Sequence, residues 1–421
     1  MLQFVETLNM ILMVFFTVCY SYQFFYAFYY LAKKQKEYRA SKLHSYAVII
    51  SARNESRVVG NLIESIKKQN YPEELVDIYV VADNCTDNTA QVAKDAGAIV
   101  YERSNMLQRG KGYALDYIFK IIQASEDCDK YDGYFVFDAD NLLDPNYIAE
   151  MNKVFDNGFR VITSYRNSKN YDTNWISSGY SLWFLREARY LNNARMMLGT
   201  SCAISGTGFL LHKEVIRKNG GWKHHLLTED IEFSVDSVIH GEKIGYCGKA
   251  IIYDEQPTKF SQSWNQRLRW SKGFYQVFGK YGAKLFRGIF RRKGGFACYD
   301  LMMTIAPACI VSIVGVLANA LLLVYGLMNL AVSPGIIPAA LLGIGGFLLN
   351  FYLILLFFGG LTIITEWNQI HCKGYKKILS LFTFPFYVFT YIPISVVALF
   401  KKVEWTPITH TIVKTIEDVR E

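Results

Sequence analysis

The sequence predicts a doubly wound, Rossmann-like α/β domain joined to α-helical transmembrane and interfacial segments. Three observations predict it. Short apolar strands and amphipathic helices alternate at βαβ spacing from Tyr46 to Asp138. Apolar runs long enough to cross a bilayer lie on both sides of that region, next to clusters of lysine and arginine. One strand, Phe135-Val-Phe-Asp138-Ala-Asp140, ends in two carboxylates, and open α/β sheets bind ligands beyond the carboxyl ends of their strands.

Composition narrows the class. A chain of 421 residues has room for two or three domains, and 51% hydrophobic with 15% aromatic residues is too apolar for an ordinary soluble enzyme. The net charge of +8 comes from basic clusters beside the apolar runs, while the acids gather mid-chain. That is the positive-inside pattern, which points to membrane surface and phosphate rather than nucleic acid. Eight cysteines without a Cys-x-x-Cys pair argue against a disulfide framework or zinc site and fit a reducing, cytoplasmic domain.

In chain order, Met10 to Ala32 is an apolar run of spanning length, followed by Lys33, Lys34, Lys36, Arg39 and Lys42. It predicts an uncleaved anchor whose C-terminal end is cytoplasmic. Tyr46–Ser51, Val76–Val81 and Ala98–Tyr101 read as strands. Arg57–Gln69, Asp87–Ala96 with Gly97 as C-cap, and Gly112–Gln123 read as helices. Ser51-Ala-Arg53-Asn54-Glu55 and Asp83 follow the first two strands, and Arg109-Gly-Lys111-Gly112 opens the third helix. Glycines around a lysine at a helix N-terminus suit a phosphate, although the spacing is not that of a Walker A loop. The paired acids Asp138 and Asp140 suit a divalent cation held against a phosphorylated ligand.

Further on, Ser205-Gly-Thr-Gly-Phe209 calls for a tight turn or a close ligand approach. Leu226-Leu-Thr228-Glu229-Asp230 sets two acids in apolar surroundings. A carboxylate there can act as a base with a raised pKa, and Thr228 can cap a helix; both readings hold together. His224 and His225 read as structural. In Gln266-Arg267-Leu268-Arg269-Trp270, two guanidiniums can neutralise a diphosphate and the indole can stack on a sugar. Trp270, Phe274, Phe278, Tyr281 and Leu285 then recur at helical steps among lysines, predicting a basic amphipathic helix at the membrane surface or, alternatively, one packed on the soluble domain.

Leu301–Met328 and Ala339–Thr362 predict two spans, with the connector Asn329–Pro338 outside. Leu379–Phe400 carries Pro385 and Pro393 between two lysine pairs. A re-entrant or interfacial pair of short helices is favoured there over a fourth span. Val403–Thr411 is then cytoplasmic and near the α/β domain.

Asp83, Asp138-Ala-Asp140, Thr228-Glu-Asp230 and Gln266-x-x-Arg269-Trp270, in that order between an anchor and later spans, resemble the membrane-integrated family 2 glycosyltransferases. These include cellulose, chitin, hyaluronan and bacterial mixed-linkage β-glucan synthases, and the resemblance covers about residues 44–411. It implies a GT-A-type domain at 44–262 after an anchor at 1–43. Interfacial helices at 263–300, two spans at 301–364 and a re-entrant segment with a gating-loop-like tail at 365–421 complete the expected organisation.

The resemblance also implies roles. Ser51, Arg53, Glu55, Asp83, Lys111, Asp138 and Arg269 would bind the UDP-sugar, and Asp140 would bind Mg²⁺ or Mn²⁺. Asp230 would deprotonate the acceptor, with Glu229, Gln266 and Trp270 at the acceptor site. Trp405 and Thr406 look like part of a gating loop, although Pro407 departs from that pattern. The implied activity is inverting polymerisation of a UDP-sugar, UDP-glucose first, into an exported β-linked polysaccharide at the plasma membrane. The alternatives are a glycolipid synthase of the ceramide glucosyltransferase kind and a chitin- or hyaluronan-type synthase using UDP-N-acetylglucosamine.

Overall fold

The computed structural model describes residues 2–305, 307–331, 335–408 and 410–420. Ala306 of the predicted third-quarter span, Val332, Ser333 and Pro334 of its connector, and Thr409 of the tail lie outside the described residues.

Two helices, α1 (Leu2–Tyr20) and α2 (Tyr22–Ala32), lead into the α/β domain. There β1 (Tyr46–Ala52), α3 (Val59–Lys67), β2 (Val76–Asp83), α4 (Thr89–Asp95), β3 (Ile99–Arg103), α5 (Lys111–Ala124) and β4 (Gly133–Asp138) alternate as the sequence predicts. Next come β5 (Leu142–Leu143), α6 (Tyr147–Asp156), β6 (Val161–Ser168), α7 (Trp175–Arg186), α8 (Asn193–Leu198), β7 (Phe209–His212), α9 (Lys213–Asn219), α10 (Glu229–Ile239) and β8 (Ile244–Asp254). The sheet order is β3-β2-β1-β4-β7-β6-β8-β5.

Strands β3, β2, β1 and β4 are parallel, which is the predicted doubly wound half. The other half is mixed. Strand β7 runs antiparallel to both β4 and β6. Gly206 and Gly208, at φ +79° and +67°, make the turn that brings the chain into β7. Alternate residues of β1 feed opposite faces of the sheet. Ala47 and Ile49 join Leu115, Ile118 and Phe119 on one side, while Tyr46, Val48 and Ile50 join Leu62, Ile63 and Phe135 on the other.

After the sheet the chain forms α11 (Phe260–Ile289), α12 (Gly295–Ile305), α13 (Pro307–Met328), α14 (Ile336–Thr365), α15 (Gly374–Phe389), α16 (Tyr391–Phe400) and the short α17 (Ile416–Arg420). Among the described residues, three stretches are long and apolar enough to cross a membrane: Gln3–Ala32, Ile336–Thr365 and Gly374–Phe400. Leu317–Met328 is a shorter apolar helix. The segment predicted as re-entrant therefore has spanning length, with α15 and α16 meeting at Thr390 and Pro385 inside α15.

The apolar seam of α11 has a different partner from the favoured one. Phe274, Phe278, Val277, Tyr281 and Leu285 pack with Val235 and Ile239 of α10 and Cys298 and Leu301 of α12. Protein covers the seam, so the packed alternative holds along this face.

Two buried ion pairs join the helices to the α/β domain. Arg195 of α8 donates two bonds of 2.7 Å to Asp300 of α12, which also accepts from Tyr22 (3.0 Å) and Tyr26 (2.6 Å) of α2. Glu366, at the end of α14, accepts from Arg189 and from Tyr165 (2.5 Å). At Gly179 of α7 a side chain would strike Tyr387 of α15, since an added Cβ would lie 2.3 Å from the ring. These contacts predict that Asp300→Ala leaves Arg195 charged and unpaired in the interior, a loss of about 3–5 kcal/mol. Thermal unfolding of the purified variant in detergent should show a clearly lowered transition, with Asp300→Asn falling between it and the wild type.

Candidate active site

Strands β1, β2 and β4 end on one edge of the sheet, and their last residues open into a cavity of about 450 Å³. Ser51, Arg53, Glu55, Asp83, Lys111, Asp138 and Asp140 line one end of it. These are the predicted donor residues other than Arg269, together with the predicted metal ligand Asp140. Asp83 is buried and holds Arg103 at 2.5 Å, with Asn84 donating to the same oxygen at 2.9 Å. Lys111, at the first turn of α5, donates to Asp138 (2.5 Å) and to the Gly206 carbonyl (2.8 Å). The Arg53 Nη1 atom is buried without a hydrogen-bond partner, a donor set up for a ligand acceptor.

The acids at the strand ends are held by opposite charge. Asp140 accepts from the Glu255 backbone N–H (2.9 Å) and lies 3.9 Å from the His410 ring. Burial opposes its ionisation, yet His410 and Lys169 hold its carboxyl below the ordinary range. His410 contacts Glu55 at 2.9 Å; burial works against the imidazolium, but Asp140, Glu55 and Glu255 push it up to about 10. Arg166 pairs with Asp254. Among the described residues no three-ligand His, Cys, Asp or Glu cage is present. A hard divalent cation held by one or two carboxylates and completed by phosphate oxygens needs none. The Asp138/Asp140 donor set fits that arrangement.

Glu229 and Asp230 form the first turn of α10 and line the cavity beyond the strand ends. Asp230 accepts from the Gly206 N–H at 2.6 Å. Burial raises its carboxyl above the usual range. Burial and the adjoining Asp230 push Glu229 up to about 7. Thr228 stands at the N-cap position, but its side chain makes no capping bond, and its Oγ1 is buried without a partner. Capping by Thr228 is therefore corrected: Gly273 of α11 packs against that side chain instead.

Helix α11 supplies the far wall. Gln266, Arg269 and Trp270 line the cavity, and Gln266 Oε1 is buried without a partner. Arg267 does not join them, which corrects the expectation of two guanidiniums on one diphosphate. It points the other way, donating to the Tyr387 carbonyl (3.1 Å) and Thr390 (2.5 Å) beneath the Tyr387 ring. One helical step separates these neighbours by about 100°. Trp405 and Thr406 lie on the site, with the Trp405 ring 5.2 Å from the Arg53 guanidinium and 6.0 Å from that of Arg269. His224 and His225 stay structural, on Asp236 and stacked on Tyr113.

Sequence reasoning missed Arg103, Arg166, Lys169, Asp254, Glu255 and His410. Asp254-Glu255 at the end of a long apolar strand was the available signal; it repeats the pattern of acids at a strand end. Glu255 also grips the tail, its carboxylate accepting from the Thr411 (3.0 Å) and Ile412 (3.0 Å) N–H groups.

With this geometry established, comparison adds relatives. A profile described as "Glycosyltransferase like family 2" matches residues 44–273. The chain is 24% identical over 241 residues to a beta-monoglucosyldiacylglycerol synthase of Synechocystis sp., covering 56% of this chain and 48% of that protein. It is 24% identical over 254 residues to a poly-beta-1,6-N-acetyl-D-glucosamine synthase of Staphylococcus aureus, covering 59% of each. The chain spans about half the length of the first curated relatives it matches. Among solved structures, the mannosyltransferase PcManGT of Pyrobaculum calidifontis, in complex with GDP-Man and Mn²⁺, aligns over 94% of this chain and 99% of that one. The TM-score is 0.57 at 15% identity, a likeness of fold, and that fold is GT-A.

A pH dependence follows from the two adjoining acids. Both carboxyls are raised, so both become neutral as pH falls; Glu229 does so as pH drops through about 7, and turnover should decline on the acid side. Glu229→Gln removes the carboxyl that loses its charge near 7 and should move the acid limb of the kcat profile to lower pH. An unmoved limb would separate Glu229 from the titration.

Proposed function

Because the chain belongs to glycosyltransferase family 2, we propose that it transfers a hexose from a UDP-sugar, best UDP-glucose, to the end of a growing β-linked polysaccharide. The observation that carries the polymer reading is the extent of the cavity. It runs from Asp138 and Asp230 past Trp270 to Phe16 and Phe24 of the N-terminal helices, Phe351 of α14 and Tyr391 of α16. Aromatic faces along a path from the reacting end into the membrane helices suit a sugar chain that stacks as it advances.

In this reading the strand-end acids and Arg53 hold the nucleotide, and Asp140 with Asp138 holds Mg²⁺ or Mn²⁺. The cation supplies charge neutralisation on the diphosphate leaving group. Arg269 and Lys111 add positive charge on the same side. The acceptor hydroxyl approaches over Trp270, and Asp230 takes its proton as the new C1–O bond forms. The bond from C1 to the diphosphate oxygen breaks on the opposite face, so an α-linked donor yields a β-glycoside. Gly206 N–H fixes one Asp230 oxygen and leaves the other for that proton. The proposed organisation is an anchor at 1–43, a cytoplasmic catalytic domain at 44–262, α11 and its surroundings at 263–300, and spans and tail to 421 in the plasma membrane.

A second reading is a glycolipid synthase. Ile354, Leu355 and Ile392 also line the cavity, and aliphatic walls there suit an acyl chain. The relative described as a beta-monoglucosyldiacylglycerol synthase supports it. The staphylococcal relative keeps UDP-N-acetylglucosamine open as donor.

Purified protein in nanodiscs, given Mg²⁺ or Mn²⁺ and one UDP-sugar at a time, separates these readings. High-molecular-weight product from UDP-glucose that a β-glucanase degrades is expected; one sugar on a lipid replaces the polymer reading with the second. Asp230→Asn should cut turnover by about 10²–10⁴-fold while UDP still binds. Full turnover in that variant would remove Asp230 as the base.

A further inference from the structure

Between the catalytic domain and the membrane helices the cavity wall changes character. Helix α7 ends at Arg186, and the next residues, Glu187–Asn192, form a π-helical turn, a rare geometry found often at functional sites. Arg186 and Glu187 both line the cavity there, beside Trp183 and Phe184. Arg186 is only 7% exposed, and its Nε has no hydrogen-bond partner. Its guanidinium reaches Gln23 of α2 and stands 5.1 Å from the Phe358 ring of α14. Glu187 makes no ion pair among the described residues, although the Arg195, Arg166 and Arg186 guanidiniums act on it, and its hydrogen bond from Ser205 is a long one of 3.5 Å.

A buried guanidinium nitrogen and a carboxylate without strong partners are costly beside apolar ligand surface. An acyl chain would leave the Arg186 Nε unmet and the weakly bonded Glu187 carboxyl no better satisfied. A sugar ring would place hydroxyls on the guanidinium and carboxylate and its apolar face on Trp183 or Phe184. We infer that Arg186, Glu187 and Gln23 form a saccharide subsite for the acceptor chain, behind the residue that Trp270 receives. The subsite rests on the polymer reading above. Its members come from α7, the turn that follows it and α2, so it grips the chain where it leaves the catalytic domain for the membrane helices. Arg186 and Glu187 act here as specificity-determining residues, away from the bond that forms.

The test is binding of cello-oligosaccharides to UDP-loaded protein in nanodiscs, followed by tryptophan fluorescence, with a separate UDP titration reporting that each variant is folded. Wild type should bind cellotetraose more tightly than cellobiose, because the longer chain reaches the subsite. Glu187→Ala should weaken cellotetraose about tenfold while leaving cellobiose little changed, and Glu187→Gln, which keeps the size and one acceptor oxygen, should recover much of the loss. Equal affinity of wild type for the two lengths, or unaltered cellotetraose binding in Glu187→Ala, overturns the subsite while the polymer reading stands on its product. A single-sugar lipid product from wild type overturns the polymer reading and the subsite with it.

Discussion

Too much negative charge meets at one sheet edge, and the structure is arranged around that excess. Glu55, Asp83, Asp138, Asp140, Glu229, Asp230, Asp254 and Glu255 all face one cavity. Several have a cation of their own: Arg103 for Asp83, Lys111 for Asp138, Arg166 for Asp254, and His410 for Glu55. Glu229 and Asp230 have no ion pair among the described residues. Burial then raises both carboxyls, and proximity adds to the shift for Glu229. Asp140, which His410 and Lys169 hold below the ordinary range, is suited to holding a cation, and Asp230, raised by burial, is suited to taking a proton.

The imbalance has meaning only if the membrane helices sit squarely on the cavity. Buried pairs secure that position. Asp300 ties α12 and α2 to Arg195, and Glu366 ties α14 to Arg189 and Tyr165. Gly179 lets α15 close on α7, and Arg267 spends its guanidinium on the α15–α16 junction. The tail closes the other end, with Glu255 gripping its backbone, His410 among the acids and Trp405 over Gly110. The same charges that hold the strand-end acids therefore also recruit a segment from the far end of the chain.

What was legible in the sequence was local. Nearly continuous apolar, buried runs mark β1, β2 and β4, and each ends where apolar residues give way to polar ones, so Asp83, Asp138 and Asp140 announce the site. The Thr228-Glu-Asp230 and Gln266–Trp270 stretches stood out by residue type and order, and Glu229, Asp230, Gln266, Arg269 and Trp270 line the cavity. Long-range pairing was not legible. His410 meets Glu55 across 355 positions, and no periodicity announces such a contact. The antiparallel β7 depends on glycine conformations at 206 and 208, which pattern alone does not orient. Arg267 and Arg269 look equivalent in sequence, yet helix rotation sends one to the cavity and the other to Tyr387. The α11 seam was visible, but its partner, α10 and α12 rather than lipid, depends on packing.

The central claim is that a sugar chain leaves Asp230, passes Trp270 and enters the space between the membrane helices. The most direct measurement is cryo-electron microscopy of the protein in nanodiscs during turnover with UDP-glucose and Mn²⁺. The account predicts continuous density for linked sugar rings from Trp270 past Arg186 and Glu187 toward Phe351 and Tyr391. Density for a lipid acyl chain along that same path would contradict it.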